Sequence, residues 1–79
     1  MAELILYHTE FCHLCEEAES IMLQAGLNAR YRKVDIDDDE NLLKQYGVRI
    51  PVIKRLDTGR ELSWPFDLNG LSAFLRETN

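Results

Sequence analysis

The sequence predicts a small α/β domain with the order β-α-β-α-β-β-α, a four-stranded mixed sheet flanked by helices. Three observations carry that reading. Apolar or β-prone runs of strand length recur at Glu3 to His8, Tyr31 to Ile36 and Pro51 to Leu56. Between the first two, apolar residues return at helical spacing, which makes the unit a parallel β-α-β crossover. After the third, Asp57-Thr-Gly59 separates it from a short run at Arg60 to Ser63, the pattern of an antiparallel hairpin turning at Gly59. A chain of 79 residues buries only about 60% of its unfolded surface, enough for one core. No repeat, low-complexity tract or linker divides it, so residues 1–79 read as a single domain.

Each element has a local reason. Leu4, Ile5, Leu6 and Tyr7 form an unbroken apolar run, as in a central strand covered on both faces. From Cys12 to Gly26, Leu14, Ala18, Ile21, Met22 and Ala25 share one helical face while Glu16, Glu17, Glu19 and Gln24 take the other, and Gly26 ends the helix. Tyr31 to Ile36 is the second strand. The Asp37-Asp38-Asp39 run then offers N-caps for a short helix carrying Leu42, Leu43 and Tyr46, closed by Gly47. Pro65 and Asp67 lead into a last helix with Leu68, Leu71, Phe74 and Leu75 on one face.

Charge and segment composition exclude several function classes. A net charge of −5 disfavours nonspecific attraction to nucleic acid or anionic lipid. Met1-Ala-Glu-Leu-Ile-Leu6 lacks a basic n-region and is too short to span a bilayer. The expectation is a cytoplasmic monomer, in a reducing compartment, with neither nucleic acid nor membrane as partner.

Both cysteines lie in one stretch, "HTEFCHLCEEAES", as Cys12 and Cys15. A CxxC loop is too short to staple a fold, so the pair is chemical rather than structural. Residues i and i+3 share a helix face, with Cα atoms within the roughly 4.4 to 6.8 Å that a disulfide requires. At the helix start, unpaired N–H groups and the positive end of the helix dipole favour a thiolate. Cys12 is therefore the candidate nucleophile and the deeper Cys15 the resolving thiol; two core cysteines are the bland alternative.

Other constellations are weaker. His8, Cys12, His13 and Cys15 match the number of ligands in a structural zinc site, but no second ligand pair follows downstream, and the expectation is no metal. The acidic run around Asp35 to Glu40 lacks EF-hand spacing and reads as a solvated loop and cap. Trp64 is either sheet-edge packing or the wall of a substrate groove. Arg49, beside Ile50 and Pro51, is either a surface residue or a carboxylate contact at that groove.

The motifs "CHLC" at 12–15, "VDID" at 34–37, "YGVRIPV" at 46–52 and "ELSWPFD" at 61–67 resemble the small glutaredoxin-like proteins of the thioredoxin superfamily. The resemblance implies a thioredoxin/glutaredoxin-like fold and a thiol–disulfide oxidoreductase acting on protein or small-molecule disulfides. It also implies a cis Pro51 facing the pair and an Ile50 backbone that contacts extended substrate. The competing function is a noncatalytic thioredoxin-fold module that binds a partner or senses redox state through the Trp64 and Pro51 surface. Glutathione is the electron donor the family implies, with no cofactor permanently bound. Three stretches depart from the pattern. Thr9 stands where a lysine is common, Trp64-Pro65 replaces a Gly-Gly pair ahead of Asp67, and His13-Leu14 replaces proline-tyrosine. The first two remove donors for glutathione's carboxylates, leaving Asp67 and the last helix's N-terminus to contribute; an imidazolium at His13 would stabilise the Cys12 thiolate.

Overall fold

The computed structural model describes residues 3–28 and 30–77; Met1 and Ala2 of the N-terminal reading lie outside them. The elements are β1 (Leu4–His8), α1 (His13–Gln24), β2 (Arg32–Asp35), a 3-10 turn (Ile36–Asp38), α2 (Glu40–Tyr46), β3 (Val52–Arg55), β4 (Glu61–Ser63) and α3 (Leu68–Arg76). The sheet order is β2-β1-β3-β4. β1 pairs with β2 in parallel, while the β1–β3 and β3–β4 pairs are antiparallel.

The unbroken apolar character of β1 follows from burial on both sides. Leu4 and Leu6 pack with Met22 of α1, Ile53 of β3 and Leu71 and Phe74 of α3. Ile5 and Tyr7 point the other way, into a second cluster with Ile36, Tyr46 and Val52. Alternation along the strand thus serves two cores instead of one core and solvent.

Element ends differ from the sequence reading for identifiable reasons. Cys12 is the N-cap of α1, extended at φ −98° and ψ 100°, rather than its first helical residue. At the other end Ala25 is the C-cap and Gly26 turns left-handed at φ 84°. The Leu27 N–H donates to Met22 C=O at 3.1 Å and the Gly26 N–H to Leu23 C=O at 3.0 Å, the paired bonds of a Schellman motif. β2 loses both ends: Tyr31 turns its hydroxyl to Glu19 at 2.9 Å, and Ile36 enters the 3-10 turn with its side chain buried. Asp39 caps α2 by accepting from the Asn41 N–H at 2.8 Å, and Asp67 caps α3 by accepting from the Gly70 N–H at 2.7 Å. β3 starts one residue later than the apolar run, because Pro51 has no N–H for the ladder.

Arg55 is the buried charged residue of the described core. It holds Asp57 through Nε at 3.0 Å and Nη2 at 2.6 Å, while Nη1 donates to the carbonyls of Phe74 at 2.8 Å and Glu77 at 2.7 Å. This guanidinium supplies donors to the orphan carbonyls at the end of α3 and ties them to the β3–β4 turn. Among the described residues no helix is long and apolar enough to cross a membrane.

Candidate functional site

Strand β1 runs out at His8, and Thr9 to Phe11 carry the chain to α1. Phe11 is left-handed at φ 58°, a conformation that a bulky residue rarely adopts, and its side chain is fully exposed. Cys12 follows as the helix cap. Its Sγ accepts the Cys15 N–H at 3.1 Å, the role an oxygen plays in an ordinary cap, so the sulfur sits on the positive end of α1. Cys12 and Cys15 are joined in a disulfide with their Cα atoms 5.2 Å apart. Cys12 is half-buried, while Cys15 is 5% exposed and lies beneath it.

The first turn of α1 also brings His13 beside the pair, exposed, with Nδ1 3.7 Å from Glu16 Oε2. An open cleft runs from the pair toward β2, with Glu10, Phe11, Glu16, Glu19 and Lys33 among its walls. The Thr9 hydroxyl donates to Asp37 at 2.5 Å. Among the described residues no group of three or more His, Cys, Asp and Glu side chains is arranged to hold a metal ion.

The remaining sequence-predicted residues form a second group that does not line this cleft. The register Tyr7 to Val52 puts the start of β3 beside the end of β1, at the end of the sheet from which Cys12 emerges. There the Ile50–Pro51 peptide is cis, as is Trp64–Pro65. The Trp64 N–H donates to the Pro51 carbonyl at 3.0 Å, which joins these two residues directly. Trp64 packs its ring edge-on to Phe66, with centroids 5.0 Å apart. The Ile50 N–H is committed to Tyr46 C=O at 3.0 Å, and its side chain packs on the second core cluster. Asp67 spends its carboxylate on the α3 cap.

Arg49 is neither a bare surface residue nor a free cation. Its Nη2 donates to Glu61 Oε1 at 2.8 Å and to Ser63 Oγ at 3.1 Å, and its guanidinium lies 5.1 Å from the Tyr46 ring centroid. The Tyr46 hydroxyl donates to the other oxygen of Glu61, and its ring stacks on Tyr7 with centroids 4.2 Å apart. Burial alone would raise the Glu61 carboxyl, but the Tyr46 hydroxyl and Arg49 hold it below the usual carboxylate range. Burial and the Glu61 carboxylate together push the Tyr46 phenol up. This brace fixes the segment leading to Pro51 against β4, and sequence reasoning missed Tyr46, Glu61 and Ser63. The available signal was two polar residues, Glu61 and Ser63, on one face of a short strand, which asks for a polar partner.

The comparisons agree with this geometry. The family model for the Glutaredoxin-like domain (DUF836) matches residues 3–76. Among solved structures, the chain is similar to protein XcR50 from X. campestris at 46% identity and a TM-score of 0.84, covering 91% of this chain and 93% of that one. It is similar to protein Ne2328 from Nitrosomonas europaea at 28% identity and a TM-score of 0.76, covering 92% and 89%. Desulfothioredoxin from Desulfovibrio vulgaris Hildenborough, in its reduced form, shares the fold at 20% identity and a TM-score of 0.68, covering 94% and 78%. No match was found among curated proteins. With nearly its whole length matched by that model, and with a cysteine pair bridged at the start of α1 in a thioredoxin-like fold, the chain belongs to the glutaredoxin-like (DUF836) family.

Proposed function

We propose that this domain is a thiol–disulfide oxidoreductase whose Cys12–Cys15 pair cycles between dithiol and disulfide. The observation that carries the reading is the asymmetry of the pair. Cys12 is partly exposed and its sulfur accepts a backbone N–H at a helix start, while Cys15 is buried within bonding reach of it. In the reductive direction, the Cys12 thiolate attacks one sulfur of a substrate disulfide. A Cys12–substrate disulfide forms, and the first substrate sulfur leaves as a thiolate that takes up a proton. Cys15 then gives up its proton and attacks Cys12 Sγ, which closes the Cys12–Cys15 bond and expels the second substrate sulfur. The substrate gains two electrons, the pair loses two, and an external dithiol returns them.

The residues present do not fit glutathione as the donor. The hydroxyl of Thr9 is turned to Asp37, Pro65 has no N–H, the Trp64 N–H is bonded to Pro51, and the Asp67 carboxylate caps α3. At these positions the donors that would meet glutathione's carboxylates are absent or occupied, which leaves the N-terminus of α3 as the part of such a site that remains. Any positive charge on His13 is opposed by Glu16. A protein dithiol is the better-supported reductant. Trp64 lies at the same end of the sheet as the pair and is bonded to Pro51, whose side chain is buried, which supports a role for Trp64 as a ledge for extended substrate with Ile50 and Pro51 as its backing.

The test is reduction of a protein disulfide by the domain with dithiothreitol as electron source. Turnover that vanishes in Cys12→Ser supports the enzyme. No turnover in the wild type, together with partner capture that depends on Trp64, would favour a binding module instead.

A further inference from the structure

The charges around the disulfide are unbalanced. Among the described residues the cleft walls carry Glu10, Glu16 and Glu19 against a single ammonium, Lys33, which is spent on Glu19 at 3.3 Å. Glu10 and the 78% exposed Glu16 side chain remain, with exposed Glu17 on the same first turns of α1 and Asp37 bonded to Thr9 at the cleft mouth. Across the sheet end, Arg49 is taken by Glu61. His8 and His13 are the remaining titratable groups along the cleft, and His13 faces Glu16. A second observation is independent of charge. Phe11 adopts a left-handed backbone that extends its whole ring into solvent next to Cys12, and the face of an exposed aromatic ring attracts a cation and its alkyl stem.

We infer that the disulfide partner of Cys12 is cationic beside its reacting sulfur, as in a cysteine flanked by lysine or arginine. The inference rests on the oxidoreductase reading and adds the substrate class. Its physical basis is the transition state of thiol–disulfide exchange, in which the thiolate's negative charge spreads over three sulfurs. Carboxylates around the cleft oppose that charge, and a substrate cation next to the sulfur offsets them where an anionic substrate adds to them. The exchange itself is the two-step reaction given above, with a dithiol as reductant.

The experiment follows oxidation of the reduced wild-type protein by three small disulfides: cystamine (two cations), hydroxyethyl disulfide (neutral) and dithiodipropionate (two anions). Each rate is divided by the rate of the same compound with uncharged dithiothreitol, which removes intrinsic reactivity. The expected order is cation, neutral, anion, with cystamine favoured over dithiodipropionate by about tenfold at low salt. The ratio should collapse at about 1 M salt, where the screening length is about 3 Å. Glu16→Lys should cut the ratio by about threefold or more, while Glu3→Lys, the same charge change at the far end of β1, should leave it nearly intact. Equal normalised rates, or an equal effect of Glu3→Lys, would overturn the cationic assignment and leave the redox reading standing. Failure of even the neutral disulfide to oxidise the pair would overturn the redox reading, and the assignment with it.

Discussion

Replacing Tyr46 by phenylalanine should destabilise the domain through one oxygen atom. The ring is 3% exposed, stacks on Tyr7 and sits under Arg49, and Phe keeps all of these contacts. What disappears is the hydroxyl's bond to Glu61. A hydrogen bond to a charged group contributes about 1.5 to 3 kcal/mol. The Glu61 side chain is 25% exposed, so water replaces part of the lost donor, and we expect a loss near the lower limit, about 1.5 kcal/mol. For a domain of this size that lowers the melting temperature by about 6 to 12 °C. The pH profile is more diagnostic. Glu61 has a folded-state pKa below its ordinary 4.5, so its contribution is present above 4.5 and is lost as pH falls through the depressed value. Tyr46 is raised above its ordinary 10.0, so its contribution is present below 10.0 and is lost as pH rises toward the folded value. The wild-type advantage over Tyr46→Phe should therefore be a plateau between those limits that closes at both ends. Urea unfolding of the oxidised protein across pH measures it. A difference under about 0.5 kcal/mol at neutral pH, or one that ignores pH, would refute the hydroxyl–carboxylate account.

Three further outcomes are expected. Asp67→Ala should cost about 1 kcal/mol of stability through loss of the α3 cap, and Asp67→Asn much less; unchanged urea midpoints would remove the capping role. Gly47→Ala should destabilise by about 1 to 3 kcal/mol, because its Cβ would lie 2.5 Å from the Leu43 carbonyl oxygen; an unshifted melting curve would mean that the turn relaxes freely. In the reduced protein, iodoacetamide at neutral pH should modify Cys12 at least about tenfold faster than Cys15, and mass spectrometry of quenched samples would reveal equal rates if the assignment is wrong.

The order of elements was legible because its signals are local or periodic. The doubly buried β1 run, the α1 stripe, the Gly26 stop and the Pro65 and Asp67 lead into α3 each announce themselves within a few residues. The ends of β2 were not legible, because Tyr31 and Ile36 have strand propensity and are drawn off by tertiary partners, Glu19 and the second core. That Cys12 and Cys15 can bridge was readable from their spacing. Its surroundings were less so: Arg49, Tyr46 and Glu61 meet only when α2 and β4 converge, and a separation of 12 to 15 residues leaves no pattern in the chain. Phe11 was invisible for the opposite reason, since propensity argues against a left-handed phenylalanine.

The antiparallel register of β1 and β3 gives the domain a front and a back. Tyr7 faces Val52 near the disulfide, while Leu4 faces Arg55, so the Asp57 to Gly59 turn lies at the opposite rim. The last turn of α3 is fastened to that same rim by Arg55. A tether, dye or surface linker joined at the turn would therefore sit behind the molecule, with the sulfur of Cys12 directed away from it. Mounted that way on a bead or an electrode, the domain would present its reactive end to solution without shading it, whereas attachment through the His8 to Cys12 loop would bury the chemistry against the support.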